Sequence, residues 1–273
     1  MILKWPGGKT KVLPQLERLL PKKFDSYFEP FFGGGALFFY LHPRRATIND
    51  VNVTLMNLYC LVKEDPGSLI KVLESLNTEH LSFNEDERKA NYYKKRDEFN
   101  NSNNTIFKSA LFIFLNKTGF NGMYRENSKG EFNIPFGRYS KPRILNQDAI
   151  NKTSVMLKNT NIKSGSYKNA VSDAGEGDFV YFDPPYNPLS STSSFTSYSK
   201  DNFVEQDQIE LSELFKELDK KGCYVMLSNS DTPLIRELYK NYNIHQVQVA
   251  RSINSKASGR GKISELVVTN YES

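Results

Sequence analysis

The sequence predicts an α/β fold, a largely parallel sheet covered by helices, with a mostly helical segment inserted into it. Three observations predict this. Short apolar runs of strand length alternate with helix-patterned segments at both ends of the chain. From about Met56 to Phe114 the pattern is instead helical and charged, broken by Asn-rich stretches such as Asn100-Asn101-Ser102-Asn103-Asn104. Finally, Asp183-Pro184-Pro185-Tyr186 closes the apolar run Phe179-Val180-Tyr181-Phe182, and two prolines can neither extend a strand nor enter a helix interior. A carboxylate and an aromatic ring are thereby placed at the carboxyl end of a strand, the edge where open α/β sheets bind ligands.

Taken in chain order, Ser26-Tyr27-Phe28 and Ala46-Thr47-Ile48 read as short strands, with a helix over Ala36 to Leu41 between them. Residues 116–143 read as loop and hairpin, with Ser128-Lys129-Gly130 as the turn. Then come a strand over Val180 to Phe182, a helix over Glu205 to Leu218 and the strand Tyr224-Val225-Met226-Leu227. A helix near Leu234 to Tyr239 follows, and His245 to Val249 with Leu266 to Thr269 form a terminal strand pair. The expected organisation is a discontinuous domain of residues 1–55 and 146–273, carrying an inserted domain of residues 56–145.

Composition narrows the class. The chain has 273 residues, 38% of them hydrophobic and 13% aromatic, enough for a sizeable core. A net charge of +5 suits an anionic partner without requiring one. Cys60 and Cys223 are the two cysteines, and His42, His80 and His245 are scattered, so neither a metal site nor a structural disulfide is expected. No apolar run approaches the roughly 18 residues of a membrane span, and Met1-Ile2-Leu3-Lys4 is not a signal peptide. The expectation is a cytoplasmic protein.

Three constellations carry chemistry. Lys4-Trp5-Pro6-Gly7-Gly8-Lys9-Thr10 imitates the end of a phosphate-binding loop, but Leu3 stands where that motif needs its first glycine. What remains is an aromatic plane, a glycine pair and two lysines. This suits a ligand with a carboxylate and an aromatic ring, or simply a core tryptophan flanked by solvated lysines. Next, Phe28-Glu29-Pro30-Phe31-Phe32-Gly33-Gly34-Gly35-Ala36 runs from strand through glycines into helix, and Asp50 follows fifteen positions after Gly35. Phe38 replaces the third glycine of a dinucleotide fingerprint, so the turn suits an adenosine ligand rather than a pyrophosphate, or else serves packing alone. The third is Asp183-Pro184-Pro185-Tyr186. An exocyclic base amine is a poor nucleophile because its lone pair is delocalised into the ring. A carboxylate and a proline carbonyl accepting its two N–H bonds would localise that pair and aim it at a methyl donor, and a tyrosine could stack on the base.

Together, Trp5-Pro6-Gly7-Gly8-Lys9, Glu29-Pro30-Phe31-Phe32-Gly33-Gly34-Gly35 and Asp183-Pro184-Pro185-Tyr186 resemble the Dam-type (D12 class) N6-adenine DNA methyltransferases. The resemblance extends to Phe120-Asn121-Gly122-Met123-Tyr124-Arg125, to Gly130 through Tyr139 and to Leu227-Ser228-Asn229, and so covers nearly the whole chain. It implies a Rossmann-like S-adenosylmethionine-dependent methyltransferase sheet, with an inserted target-recognition domain that carries a β-hairpin, and action on double-stranded DNA, commonly at GATC. It also implies roles. Trp5, Gly7 and Lys9 would line the methyl-donor pocket, Phe31, Gly33 and Gly35 its floor, and Asp50 would hold the ribose hydroxyls. Asp183 would bind the target amine beside the donor, with Pro184 and Pro185, and Tyr186 would stack on an extruded base. Lys4 and Arg125 would read guanines, Asn121, Met123 and Pro135 would touch neighbouring bases, and Tyr139 would meet the backbone or the gap beside the extruded nucleotide.

The segment 116–143 holds Lys117, Arg125, Lys129, Arg138, Lys141 and Arg143 against Glu126 and Glu131, a balance that suits a DNA groove. Arg251, Lys256, Arg260 and Lys262 form a second basic stretch, read as a phosphate clamp or a solvated hairpin tip. Two features depart from the family pattern: Trp5 comes almost at the start, without the longer arm of some relatives, and Met123 stands where leucine is expected. A cognate restriction endonuclease is a possible partner system. Among rivals, N4-cytosine methylation would commonly place serine at position 183, and glutamine- or RNA-directed methylation asparagine. A DNA-binding module with a decayed site is the non-enzyme alternative.

Overall fold

A computed structural model of the chain describes residues 2–188, 203–250 and 262–272. They divide into two compact units, one of residues 2–8 and 52–162, the other of residues 9–51, 163–188, 203–250 and 262–272.

The second unit is organised by a seven-stranded sheet, of which one strand, Thr160–Ser164, spans the boundary between the two units' residue ranges. Its strands are β1 (Tyr27–Glu29), β2 (Ala46–Asp50), β3 (Thr160–Ser164), β4 (Phe179–Phe182), β5 (Tyr224–Ser230), β6 (Asn243–Ala250) and β7 (Lys262–Thr269). Spatial order is β3-β2-β1-β4-β5-β7-β6. β1 pairs in parallel with β2 and β4, and β4 with β5, while β7 runs antiparallel to both β5 and β6. The expected alternation thus holds, and the terminal pair is longer than expected, running over Asn243–Ala250 and Lys262–Thr269. All four residues of β4 are buried, as a strand covered on both faces must be. Its Val180 and Phe182 pack with Leu211 and Phe215 of the helix Glu205–Lys220 and with Leu227, Leu266 and Val268.

Two strands exceed or escape the sequence reading. β5 continues through Ser228, Asn229 and Ser230, which are polar yet buried, so an apolar pattern stops at Leu227. β3 (Thr-Asn-Ile-Lys-Ser) is an edge strand with one aliphatic residue and gives no hydrophobic signal.

Ten α-helices are present among the described residues. In chain order they are α1 (Leu13–Leu16), α2 (Ala36–Leu41), α3 (Val53–Glu64), α4 (Pro66–Ser82), α5 (Glu85–Asn101), α6 (Thr105–Thr118), α7 (Gln147–Leu157), α8 (Tyr167–Ala170), α9 (Glu205–Lys220) and α10 (Pro233–Leu238). The first unit contains α3 to α7. Each of α3 to α6 starts on an Asn or Asp whose side chain accepts a backbone N–H of the first turn: Asn52, Asp65, Asn84 and Asn104. Such caps contribute about 1 kcal/mol each. The Asn-rich break is therefore partly structural: α5 runs through Asn101, and Asn104 starts α6. Residues Ser109 to Asn116 of α6 are all buried, which makes it the central helix of this unit.

The segment expected as a hairpin is paired only in part. Residues 119–136 form two isolated antiparallel bridges, Gly119 to Phe136 and Glu126 to Phe132, rather than a continuous ladder. Backbone bonds cross from Asn127 N–H to Glu131 O at 2.9 Å and from Asn133 N–H to Arg125 O at 3.1 Å, and side chains of α5 add further bonds. The Asn100 amide pairs with both the N–H and the carbonyl of Phe132, at 2.9 and 3.2 Å, and the Tyr92 hydroxyl donates to the Ile134 carbonyl at 2.8 Å. The turn itself stands where expected, closed by Gly130 N–H to Asn127 O at 2.9 Å.

Candidate active site

In the sheet unit the strand order reverses between β1 and β4, the switch point at which doubly wound sheets bind ligands. The glycine turn leaves β1 there, and Asp183-Pro184-Pro185-Tyr186 leaves β4 beside it. The turn is held at several points. Asn49 donates its side-chain amide to the carbonyls of Pro30 and Gly165, both at 3.0 Å, and its own carbonyl accepts from Phe32 N–H at 2.8 Å. Gly33 N–H donates to Asp50 Oδ2 at 2.8 Å. Gly35 caps α2 in the left-handed region (φ 64°), and a Cβ there would run into the Phe32 ring, so glycine is required twice over. Phe31 stacks on Tyr167 with centroids 5.1 Å apart.

At the end of β4 a cluster of charges is withdrawn from water. Lys9 Nζ lies 2.8 Å from Asp183 Oδ1, with 9% of the lysine side chain and 19% of the aspartate exposed. Lys9 is therefore no solvated lysine; the pair opens to solvent mainly on the aspartate side. The same Nζ lies 4.8 Å from the Tyr186 ring centroid, and the Tyr186 hydroxyl donates to Glu265 Oε2 at 2.9 Å. Burial pushes the Asp183 carboxyl above its ordinary range, with Lys9 pulling the other way. Burial also raises Glu265, again opposed by Lys9. Glu29 is raised well above the carboxylate range by burial, and it accepts from the Tyr27 hydroxyl at 2.8 Å.

Behind this cluster runs a chain of amides. Gln208 on α9 donates to the Pro185 carbonyl at 3.0 Å and accepts from Asn229 Nδ2 at 2.9 Å. Asn229 Oδ1 accepts from Asn187 N–H at 3.1 Å, and Asn187 donates to Thr232 Oγ1 at 2.9 Å. The Pro185 carbonyl is thus taken. The Pro184 carbonyl has no hydrogen-bond partner among the described residues.

The helical unit holds the other candidate residues. Trp5 stacks on Tyr124 (5.5 Å, 25°) and meets the edge of Phe112. Lys4 is exposed, with Nζ 5.2 Å from the Tyr139 ring centroid. The Tyr139 hydroxyl accepts from Asn121 N–H at 3.2 Å. Arg125 is exposed and its Nε donates to Asn133 Oδ1 at 2.8 Å, leaving the two terminal nitrogens without a protein partner among the described residues. Pro135 is exposed and Met123 half-buried. Lys117 is lowered to about 8 by burial, with Lys4 and Arg143 adding repulsion.

The structure thus gathers Lys9, Asp183 and Tyr186 into one cluster and joins Gly33 to Asp50. It places Lys4, Asn121 and Tyr139 together in the other unit, with Trp5 against Tyr124 there; Gly7 lies in the same unit with φ 75°. Arg251 and the Lys262 side chain lie outside the described residues. Sequence reasoning missed Asn49, Gln208, Glu265 and Asn116. Gln208 did carry a signal, since it shares the buried stripe of Leu211, Phe215 and Leu218, where a polar residue needs a partner.

The family model for the D12 class N6 adenine-specific DNA methyltransferases matches residues 5–253. The chain is 46% identical to the type II methyltransferase M1.LlaDCHI of Lactococcus lactis subsp. cremoris, over 98% of this chain and 94% of that protein. It is equally close, at 46%, to the type II methyltransferase M.MjaIII of Methanocaldococcus jannaschii, over 98% of each. It shares 36% identity with the DNA adenine methylase of Escherichia coli K12, over 97% of this chain and 93% of that protein. With the two motif turns at the carboxyl ends of adjacent strands and this coverage, the chain belongs to the D12 class N6 adenine-specific DNA methyltransferases.

Proposed function

We propose that the chain methylates N6 of adenine within GATC in double-stranded DNA, with the adenine extruded and held at Asp183-Pro184-Pro185-Tyr186. One observation carries the reading: at the end of β4 a partly exposed carboxylate adjoins a proline carbonyl without a partner among the described residues, beside the glycine turn of β1. S-adenosylmethionine fits the turn, where Gly33 and Gly35 adopt positive φ and keep side chains out of the loop that Asp50 holds; when bound it supplies a methyl group on a positively charged sulfur. Trp5, Gly7, Lys9, Phe31, Gly33, Gly35 and Asp50 are the residues proposed to hold it.

The chain's own residues act on the amine. Asp183 and the Pro184 carbonyl accept the two N–H bonds, drawing the lone pair out of conjugation and fixing its direction. With the donor held there, its methyl group would pass to the amine as the donor leaves as a neutral thioether, and Asp183 would accept the proton the amine gives up. A carboxyl raised by burial is a better proton acceptor than an ordinary aspartate, and Lys9 at 2.8 Å opposes that rise by favouring the carboxylate. Tyr186, oriented by Glu265, stacks on the base.

Target recognition is assigned to the inserted segment, residues 56–145, together with Lys4. Lys4 and Arg125 each read a guanine, the latter with the amino groups its Nε bond leaves available. Asn121, Met123 and Pro135 touch flanking bases, and Tyr139 the backbone. Arg251 and Lys262 are assigned to phosphates. The relatives named type II methyltransferases share more identity than the DNA adenine methylase, which favours work opposite a cognate restriction endonuclease over a solitary or phage enzyme. The cytoplasm is the compartment this role requires. Mapping the methyl groups incorporated into unmethylated duplex DNA at base resolution tests the reading. N6-methyladenine confined to GATC supports it, whereas methylation at another sequence overturns the recognition assignment.

A further inference from the structure

We infer that Asn116 is a specificity-positioning residue that couples the two guanine-reading segments into one recognition element; this rests on the reading of Lys4 and Arg125 proposed above. Asn116 stands in the last turn of α6 and is 2% exposed. Its Oδ1 accepts the N–H of Lys4 at 2.9 Å, and its Nδ2 donates to the carbonyl of the same Lys4 at 2.8 Å. One amide therefore pairs with one residue as a neighbouring strand would. The second Nδ2 hydrogen goes to the Gly122 carbonyl at 2.9 Å. Gly122 is the residue between Asn121 and Met123, three before Arg125. A single buried side chain thus fastens segments that are 112 and 6 residues away in sequence.

Contacts on the outer side repeat the link without Asn116. Gly122 has φ 63°, and a Cβ there would lie 2.5 Å from Lys4 Cδ and 3.0 Å from Lys4 Cβ, so the lysine stem runs across a bare backbone. Its Nζ then reaches the Tyr139 ring, whose hydroxyl accepts from Asn121 N–H. An untethered lysine would read a guanine poorly, because ordering it costs entropy at each encounter. Fixed at backbone and stem, it is already in place when Arg125 is, and a mismatch at either guanine is felt by both.

The test compares initial methylation rates of the full chain on duplexes containing GATC and on duplexes with either guanine position replaced in turn. The variants are Lys4→Ala, Arg125→Ala, Asn116→Ala, Asn116→Ser and Lys4→Ala/Asn116→Ala, with thermal melting and donor binding checked for each. Loss of a good side-chain contact to a guanine is worth about 5- to 150-fold in discrimination. We expect Asn116→Ala to lose discrimination at both guanines together, Asn116→Ser, which keeps one donor and one acceptor, to lose less, and Asn116→Ala to add almost nothing at Lys4's guanine once Lys4 is alanine. A merely structural role gives lower stability with unchanged discrimination ratios, or multiplicative losses in the double variant, and either result overturns the inference. If Lys4→Ala and Arg125→Ala leave discrimination intact, the recognition reading itself has failed and the inference falls with it. Loss in those two variants with none in Asn116→Ala or Asn116→Ser overturns the inference alone.

Discussion

At the scale of single residues, chemistry at the end of β4 depends on a balance between burial and one lysine. Burial favours protonated Asp183, Lys9 at 2.8 Å favours the carboxylate, and the proposed reaction needs the carboxylate. Removing Lys9 must therefore raise Asp183 further. With saturating donor, Lys9→Met is expected to shift the acidic limb of the single-turnover rate to higher pH; an unmoved limb would show that Lys9 does not hold the charge. Gln208 makes a second residue-level case. Its amide occupies the Pro185 carbonyl, so Gln208→Leu leaves a carbonyl and the Asn229 amide unpaired. The expected cost is about 1–3 kcal/mol in stability, read by chemical denaturation. The transfer rate should fall while donor binding holds; equal losses in both would make Gln208 a packing residue only.

Single elements show how far sequence carries. β4 and the turn after it were legible because a run of four apolar residues and two prolines admit few structures. The boundaries of α2 were legible because Gly35 and the positions around it leave no alternative start. β3, the polar end of β5 and the Asn caps were not, since their signals are hydrogen bonds rather than periodicity. The site divides the same way. Motifs identify Lys9, Asp50 and Asp183 as candidates, yet nothing local marks Glu265, which faces Tyr186 from 79 residues away. His80 of α4 is a buried residue of this silent kind. It is fully buried, neither ring nitrogen has a hydrogen-bond partner in the described structure, and burial with the nearby Arg88 lowers its pKa from 6.5 to about 4. A group with a depressed folded pKa is neutral in the native state and contributes stability above pH 6.5, lost as pH falls towards 4. The loss amounts to about 3 kcal/mol at most. In His80→Leu the pH dependence of stability should flatten between pH 6.5 and 4, and an unchanged slope would place the acid sensitivity elsewhere.

The whole molecule carries a net charge of +5, and its basic residues gather in the 116–143 segment and in the stretch around Arg251. No helix among the described residues is long and apolar enough to cross a membrane. If the positive charge contacts phosphates, DNA affinity falls linearly with salt on logarithmic axes, and each removed contact lowers the slope by about 1. Arg251→Ala should do so while leaving the ratio of GATC to non-GATC binding intact, and a changed ratio would make Arg251 a base-reading residue. The claim on which the rest depends is that the amine is held at Asp183. The most direct measurement is single-turnover methyl transfer to GATC duplex by Asp183→Ala, beside its affinity for the same duplex and its thermal melting. Transfer abolished in a folded protein that still binds DNA is the predicted result; transfer near the wild-type rate would contradict the account.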